Sequence, residues 1–564
     1  MYKNGLLQIF FLLMLGWHAG GLSAQPVQQP EVVKDSTKRV KILHASILSY
    51  LKSQEVVFEK LVGRVEMMQD STLFFCDSAY FFETDHRLEA YSRVRIEMPD
   101  SVFLYGDKLT YDTESKISEV YKRITLTNQD VVLTTDRMTY LRNEDYGFYR
   151  EGGKMVDGDN VLTSIHGYYY PNEDMAYFRD SVKLVSPDYV LTTDTLGYDT
   201  DTKVSYFITQ TYITSEDGEI ETENGNYDTE NGIVNLYSRS TVRDSSYLLI
   251  ADTLTYYDKR DLGYARGNVM VFQDDSSLQI RGGLGQFNRK TDESWVTRGA
   301  MAIHLFDDDT LYMMADTLFS VKVKKIVPST DSLAEMDTIE TRLFKAYNNV
   351  RFFMNDLQGR ADSMVYFYDD SVMYLYKDPV LWSEENQLTG DTIIVWLKNE
   401  KADSMWVGEE GFMASREDTV GYNQLKGKEI RAKFKDNELY RMHIIGNSES
   451  IYFAKNEDDT TNIYYEGMNK ALAQEMIIYF QENEVKRIIF LTQPEGTYYP
   501  FFKVIFEANE LDGLEWRITE RPEKPSVFES ASPSADLVPA PETPALIPTR
   551  QLQIGAEPPL PEKH

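Results

Sequence analysis

The chain has 564 residues, of which 58 are Lys or Arg and 90 are Asp or Glu, giving a formal net charge of −32 at pH 7. This excess of negative charge argues against a nucleic-acid-binding protein, because DNA and RNA phosphates are contacted mainly by Lys and Arg. The 42% hydrophobic content and the 38 Tyr and 28 Phe favour a folded protein rich in strands.

The first 24 residues have the pattern of an export signal. Lys3 gives a basic start, Leu6 to Leu15 is apolar apart from Gln8, and Ala24 ends a stretch suited to cleavage. The apolar run is shorter than the ~20 residues that a membrane span needs, which favours a cleaved signal over an anchor. We therefore predict a signal peptide at 1–24 and a linker at 25–39.

One phrase then returns about every 29 residues: an apolar strand, a small residue, an Asp, an apolar residue two places on and an aromatic residue four places on. Clear copies are Asp107-Lys-Leu109-Thr-Tyr111, Asp136-Arg-Met138-Thr-Tyr140, Asp194-Thr-Leu196-Gly-Tyr198 and Asp252-Thr-Leu254-Thr-Tyr256; degenerate copies start at Ser46, Asp77, His166, Glu223, Gly283 and Asp316. The phrase resumes at Asp362 and Asp391, after a polar stretch from Lys322 to Thr341 that we interpret as a surface insertion. Such regularity predicts a repeat architecture.

Between these landmarks the chain alternates like strands and turns. The unit from Val94 to Lys122 gives the strands Val94–Met98, Val102–Tyr111 and Ile117–Tyr121. In the long strand a regular pleat would put Leu104 and Leu109 on opposite faces, and Leu249 and Leu254 show the same slip. A β-bulge beside the Asp would restore each pair to one face and bend the strand. We therefore predict antiparallel units folded across two facing sheets.

The recurring Asp residues have two interpretations. They could form a row of Ca²⁺ ligands, or they could be turn and bulge residues whose carboxylates accept backbone hydrogen bonds. The second is favoured because calcium loops need several oxygen ligands close together in sequence, whereas these Asp residues are single and far apart.

Catalytic signatures are missing from the sequence. No Gly-x-Ser-x-Gly, zinc-protease or nucleotide-binding motif occurs, and Gly282-Gly283-Leu-Gly285 is interpreted as a turn or bulge. Cys76, the single cysteine, lies in an apolar strand and is expected to be a small core residue. We predict that the protein is not an enzyme and uses no cofactor or metal.

The repeated phrase resembles a known family when it is taken with a Gly-x-Val element, as in Leu61-Val-Gly63-Arg-Val65 and Tyr264-Ala-Arg-Gly267-Asn-Val269. It is similar to the OstA-like repeat (organic solvent tolerance protein) of LptA-like periplasmic lipopolysaccharide-transport proteins. A later stretch is similar to the family's downstream pattern: Gly446-Asn447-Ser448-Glu-Ser450-Ile-Tyr452, Gly467-Met-Asn469-Lys-Ala471, Ile488 and Pro494. The resemblance covers roughly residues 40–510, with many more repeats than the short family members have.

The resemblance implies an all-β fold, an elongated antiparallel β-jelly roll in the form of an open V-shaped sandwich with a hydrophobic groove. Acyl chains of lipid A would then contact the repeated apolar positions, which are Leu109, Tyr111, Met138, Tyr140, Leu196, Tyr198, Leu254 and Tyr256. The same side chains could instead close a dry core between the sheets.

The predicted layout is an OstA-like β-repeat region at 40–321, the polar insertion at 322–341, further repeats at 342–518 and a Pro-rich disordered tail at 519–564. The predicted function is a non-catalytic lipopolysaccharide bridge in the periplasm of a Gram-negative bacterium, with association to the outer or inner membrane left open. Partners would be lipopolysaccharide and envelope transport proteins of the same fold, docked through sheet edges, with end-to-end self-association as a further option. A cell-surface adhesive repeat protein and a β-helix polysaccharide enzyme are the alternatives.

Overall fold

The computed structural model describes residues 40–52, 57–216, 218–244, 247–273, 278–306, 309–328, 336–398, 401–417, 421–435, 438–455, 464–481, 484–503 and 509–525. The predicted signal peptide, the predicted linker and residues 526–564 of the predicted tail lie outside this part of the chain.

Forty strands run through the described residues. The first twenty are β1 (Lys41–His44), β2 (Ile47–Lys52), β3 (Val57–Gln69), β4 (Thr72–Phe82), β5 (Arg87–Glu97), β6 (Val102–Asp112), β7 (Ile117–Asn128), β8 (Val131–Leu141), β9 (Tyr146–Tyr149), β10 (Gly153–Asp157), β11 (Asn160–Ser164), β12 (His166–Tyr170), β13 (Met175–Val185), β14 (Tyr189–Asp199), β15 (Val204–Phe207), β16 (Thr211–Ser215), β17 (Glu219–Thr222), β18 (Gly225–Asp228), β19 (Ile233–Leu236) and β20 (Ser240–Arg243).

The second twenty are β21 (Tyr247–Ala251), β22 (Thr253–Tyr257), β23 (Leu262–Gln273), β24 (Leu278–Asn288), β25 (Glu293–Leu305), β26 (Thr310–Pro328), β27 (Met336–Phe353), β28 (Gln358–Phe367), β29 (Val372–Tyr376), β30 (Val380–Ser383), β31 (Asn386–Thr389), β32 (Thr392–Lys398), β33 (Lys401–Gly408), β34 (Gly411–Glu417), β35 (Gly421–Gly427), β36 (Glu429–Lys435), β37 (Glu438–Lys455), β38 (Tyr465–Gln481), β39 (Glu484–Leu491) and β40 (Glu495–Pro500). Helical structure in the described residues is limited to the 3₁₀ turns Pro99–Ser101, Pro171–Glu173, Asp258–Arg260, Phe501–Lys503 and Ile518–Glu520.

All pairings between the described strands are antiparallel. The long bent strands, such as β4 to β7 and β23 to β27, pair with the strands that precede and follow them in the chain. The short strands pair within one sheet and skip their chain neighbours in the other, as β15 does with β18 and β17 with β20. The all-β antiparallel fold is thus confirmed, and the parallel pairing that a β-helix enzyme would need does not occur among the described strands. Each repeat contributes two bent strands, such as β5 and β6, and therefore two strands to each sheet. At about 4.8 Å per strand, one repeat lengthens the stack by roughly 10 Å.

The bend in each strand is the predicted β-bulge. In β6 the pairing with β7 slips between Tyr105 and Lys108, where the landmark Asp lies. Because of this slip Leu104 and Leu109 are both buried, which a regular pleat would forbid. The predicted strand Val102–Tyr111 corresponds to β6, whereas the predicted strands Val94–Met98 and Ile117–Tyr121 are each one half of the bent strands β5 and β7. The half of β6 before Asp107 and the strands paired with it form the sheet that we call sheet A. The half of β6 after Asp107 and the strands paired with that half form sheet B.

Two apolar cores fill the space between the sheets. The first extends from Leu61 to Val269 and the second from Val296 to Ile478. A third, smaller core lies on the outer face of sheet A, where Phe453 and Met468 pack against Leu511.

The outer face of sheet A is covered there by residues 509–525, which we call the strap. Its path is set by three glutamines, Gln424, Gln387 and Gln358, that point away from the second core. The hydrogen bonds are Gln424 Nε2 to Asn509 O (2.8 Å), Leu511 N to Gln424 Oε1 (2.8 Å), Gln387 Nε2 to Glu515 O (2.7 Å), Arg517 N to Gln387 Oε1 (2.7 Å) and Arg521 Nε to Gln358 Oε1 (2.7 Å). The first two glutamines therefore bind the strap backbone through both side-chain groups.

The strap changes one predicted boundary. Residues 519–525 were assigned to the disordered tail, but Glu520 pairs with Arg360 and Pro522 is buried. These seven residues, together with residues 509–518 that were assigned to the repeats, therefore belong to the ordered strap. The predicted polar insertion is a β-hairpin, because β26 and β27 stay paired from Lys322 with Arg342 out to Pro328 with Met336.

The bend leaves little room for a side chain at the residue before the landmark Asp. A substitution at Gly106 tests this steric requirement. A Cβ at Gly106 would lie 2.4 Å from Val120 Cγ1, so Gly106→Ala should lower the free energy of unfolding by about 1–3 kcal/mol. Gly197→Ala is the control, because its Cβ would lie no closer than 3.4 Å to its nearest neighbour, Tyr206 Cβ. Urea titration followed by circular dichroism measures both; equal stability of the two variants would contradict the steric requirement.

Candidate functional site

The predicted lipid-contact positions lie in the interior of the first half. Leu109, Tyr111, Met138, Tyr140, Leu196 and Tyr198 are at most 2% exposed, and Leu254 is 6% exposed, all within the first core. Tyr256 is half-buried and stacks on Phe287, with ring centroids 6.2 Å apart. The structure thus brings the eight residues to one continuous interior, while their contact with lipid stays a prediction.

Some of the interior tyrosines differ from the leucines because their rings end at the line where the tips of sheets A and B meet, whereas Tyr140 and Tyr256 donate to Asp145 and Asp261 in the turns that follow them. Tyr111 donates its hydroxyl hydrogen bond to Gln69, which lies at a tip of sheet A. Tyr198 does the same to Asp157 (2.8 Å), and Asn128 donates to the hydroxyl of Tyr169 (2.7 Å). We call this line of polar contacts the rim.

Burial and the neighbouring carboxylate both raise the pKa of Tyr198 well above its ordinary value. Burial also raises the pKa of Tyr149 to about 12, although its hydroxyl contacts Ser164 at 2.7 Å. These phenols are therefore neutral hydrogen-bonding groups at physiological pH and not bases.

Two ion pairs also cross the rim. Lys203 Nζ lies 2.7 Å from Asp157 Oδ2, and Asp157 has only 3% of its side chain exposed. Lys116 Nζ lies 2.7 Å from Asp70 Oδ2 in the same arrangement, about three repeats earlier in the chain. Both pairs join residues that are 46 apart in sequence. The sequence analysis missed these residues, and this shared offset is the signal that could have found them.

The landmark Asp residues hold the bends together. Asp77 accepts hydrogen bonds from Arg93 (2.6 Å) and Ser92 (2.5 Å) of the neighbouring strand, and Asp107 accepts from Arg123 (2.6 Å). Ser92 and Arg93 both have positive φ, 67° and 50°, so the carboxylate ties down a left-handed corner. The Arg93 guanidinium and the Ser92 hydroxyl hold the pKa of Asp77 below its ordinary value.

This arrangement favours the structural interpretation of the Asp row over calcium binding. The carboxylates of these Asp residues were expected to accept hydrogen bonds from backbone N–H groups. In the structure their donors are mainly side chains of the next strand, such as Ser92, Arg93 and Arg123. Within the described ranges no group of three or more His, Cys, Asp or Glu side chains is placed to hold a metal ion.

Two other sequence features have structural places. Cys76 is buried beside the first bend, and burial raises the pKa of its thiol to about 12, so it stays protonated at neutral pH. Gly282 and Gly283 lie in the bulge where the pairing of β24 with β25 slips, as predicted for a turn or bulge. None of the helices in the described part of the chain could cross a membrane, since they are all short 3₁₀ turns.

Loss of the cation from the buried rim pair should destabilise the first half. Lys203→Met leaves the carboxylate of Asp157 buried without its partner, a change that costs on the order of 3 kcal/mol in other proteins. We expect a lower melting temperature for Lys203→Met and partial recovery when Asp157→Asn is added. Lys183→Met, on the exposed outer face of β13, is the control; equal melting temperatures for Lys203→Met and Lys183→Met would show that the pair does not hold the rim.

Three comparisons relate the chain to known proteins. Residues 37–194 match the family model described as OstA-like protein, which confirms the resemblance for the first repeats. A search of curated proteins finds no match to the chain.

Among solved structures, the chain is similar to LptH of Pseudomonas aeruginosa, described as the LptA-homologous periplasmic component of the conserved lipopolysaccharide transport device. The two are 14% identical, with a TM-score of 0.14, and the match covers 29% of this chain and 81% of that chain.

Proposed function

We propose that the protein is a non-catalytic lipopolysaccharide-binding protein that acts as a bridge in the periplasm during outer-membrane assembly. The observation that carries this proposal is the first apolar core between sheets A and B, which runs from Leu61 to Val269 and is lined at a fixed period by the repeated leucine and tyrosine positions. The match of residues 37–194 to the OstA-like family supports the same function.

The physical need for such an interior follows from the cost of moving a lipid through water. Each exposed CH₂ costs about 0.8 kcal/mol, so one acyl chain of about 14 carbons costs on the order of 10 kcal/mol. An apolar path between two sheets removes most of that cost. No residue has to perform chemistry for this function, which agrees with the protonated state of Cys76.

The polar rim suits an amphiphilic cargo. Acyl chains would lie between the sheets while the sugar and phosphate groups stay at the rim and in solvent. The rim contacts must separate to admit a chain, and they are hydrogen bonds and ion pairs that water and a polar headgroup can replace. Opening the rim therefore exposes groups that are already suited to water.

Photo-crosslinking tests the interior path. A photoreactive amino acid at Leu196, which is fully buried, should capture lipopolysaccharide in cells of the native organism. The same group at Thr192, which is exposed on the same strand β14, is the matched control and should capture none. Lipopolysaccharide is identified on the crosslinked band with an antibody.

Capture at Thr192 but not at Leu196 would place lipid outside the body and refute an interior path. If neither Leu196 nor equivalent buried positions in the other repeats capture lipid, the proposed function fails as a whole.

The first sheet edge is the proposed docking surface for envelope proteins of the same fold. β1 and β2 pair with β3, and no described strand lies on their other side. Ile47, Leu48 and Tyr50 are 58%, 59% and 66% exposed there. An unpaired edge with exposed apolar side chains favours addition of a strand from another molecule.

Charged residues on this edge should weaken association. We expect Leu48→Lys with Tyr50→Lys to reduce concentration-dependent self-association, because strand addition would bury the new charges. Sedimentation velocity over a concentration series measures this. Tyr212→Lys, at a 50% exposed tyrosine on the outer face, is the control; equal association of the edge variant and the control would rule out this edge as the contact.

A further inference from the structure

A single row of residues on the outer face of sheet A runs beneath the strap and continues past its end. Under the strap, directly paired positions on neighbouring strands are Gln424, Ala414, Gln387, Trp382 and Gln358, from β35 to β28. The pairing goes on without a break through Phe353, Tyr312, Ile303, Gln279, Phe272 and Leu248, from β27 to β21. We call these eleven residues the outer row.

The strap follows the outer row in one direction. It contacts the three strap glutamines in turn, from β35 to β28, and the ammonium group of Lys524 then lies 5.7 Å from the ring centre of Tyr312 on β26. Each contact lies two strands beyond the one before it. Where the described part of the strap ends, at residue 525, the next position of the row is therefore Ile303.

The part of the row beyond the strap is mainly apolar. Phe272 and Leu248 are half-buried, and they lie on the outer face because their chain neighbours Val271 and Leu249 pack in the first core. Met270 and Ile250 are paired next to them and are also half-buried on this face. We call Phe272, Leu248, Met270 and Ile250 the apolar strip.

Gln279 repeats the spacing of the strap glutamines, because it lies two strands beyond the last described contact of the strap. Its side chain contacts the guanidinium group of Arg281 on the same strand. Such a contact is compatible with strap binding. Gln387 Oε1 accepts a hydrogen bond from Trp382 Nε1 (3.2 Å) and another from the backbone N–H of Arg517 (2.7 Å).

The residues that follow the strap in the sequence match this surface in spacing and in chemistry. An extended chain advances about 3.3 Å per residue and strands lie about 4.8 Å apart, so about three residues cross two strands. Arg521 and Lys524 show this step, since they contact positions two strands apart. The same step brings Val527 to β24 and Phe528 close to Phe272 on β23. Two apolar side chains therefore reach the apolar strip.

We propose that residues 526–530 of this chain dock on the outer row as a continuation of the strap. Phe528 packs on the apolar strip, and the backbone beside Val527 binds Gln279 as the strap backbone binds Gln387. The docked segment crosses, on the outside of sheet A, the boundary between the first core, which ends at Val269, and the second, which begins at Val296. It ties the two halves of the body together. This docking needs no lipid and stands apart from the proposed function.

Limited proteolysis of the mature protein tests the docking. Chymotrypsin cuts after Phe and Leu, so cleavage after Phe528 is compared with cleavage after Leu552 in the same tail. Cleavage after Phe528 should be about fivefold slower or more, because a docked segment must detach before a protease can bind it. Mass spectrometry of the released fragments measures both rates.

Charges on the apolar strip should remove this protection. In Phe272→Lys with Leu248→Lys, docking would bury the new ammonium groups, so Phe528 should be cut as fast as Leu552. Val156→Lys with Val161→Lys is the matched control and should keep the protection. These two valines are also half-buried on the outer face of sheet A, but β11 lies six strands beyond β21. Circular dichroism establishes that both double variants are folded.

Photo-crosslinking with an unaltered sheet face decides the proposal even if the lysine variant does not fold. Benzoylphenylalanine in place of Phe528 should crosslink, within one molecule, to peptides that contain β23 or β24. The same group in place of Leu552 is the control and should show no preference for these peptides. Mass spectrometry identifies the linked peptides.

Fast cleavage after Phe528 in the unaltered protein would overturn the docking, as would equal protection in the two double-lysine variants. A crosslink from position 528 to β23 of a second molecule would show that another copy occupies the outer row. Absence of any crosslink to β23 or β24 would leave this face to a different protein. Either result contradicts docking within the chain, and neither affects the capture of lipid at Leu196.

Discussion

The fold depends on one constraint, which is that a strand crossing from sheet A to sheet B must keep its apolar side chains on the inside of the bend. A regular strand cannot do this, because its side chains alternate between the two faces without interruption. The extra residue at each bulge restores the inward face, as Leu104 and Leu109 show. The bend then needs a small residue at its inner side and a carboxylate, such as Asp107, to hold the left-handed corner of the next strand. The residues of the repeated phrase are therefore the ones that this bend requires.

The rim follows from the same geometry. Because Tyr111 and Tyr198 lie two residues beyond the leucine on the inward face, their rings end at the tip of sheet B, where their hydroxyl groups meet the tip of sheet A. A tyrosine at this position therefore buries its ring in the core and adds a hydrogen bond to the rim. Tyrosine suits this position better than phenylalanine. A phenylalanine at position 198 has no hydroxyl group, so it would leave the carboxylate of Asp157 without one of its hydrogen-bond donors.

The sequence was sufficient to predict the parts of the fold that are local. The period, the parity slip and the bulge can all be read within one repeat, so the two-sheet antiparallel body and the burial of Leu109 and its equivalents were predictable. The rim partners were not, because Asp157 and Lys203 are 46 residues apart and become neighbours only through the bend. The strap was missed for a related reason. Residues 509–518 were assigned to the repeats and 519–525 to the tail, because the strap is held by Gln387 and Gln424, which lie more than 80 residues away and carry no repeat signature.

In a packed interior, the free energy of lipid binding depends on the side-chain contacts that the lipid displaces. An acyl chain that separates two leucines must replace their mutual contacts, so only the difference between the chain's contacts and the lost ones favours binding. That difference is smallest in the tightly packed repeats around Leu196 and largest where an inward position lacks a side chain, as at Gly285. An acyl chain in the proposed interior path would therefore meet its highest barriers in the tightly packed repeats.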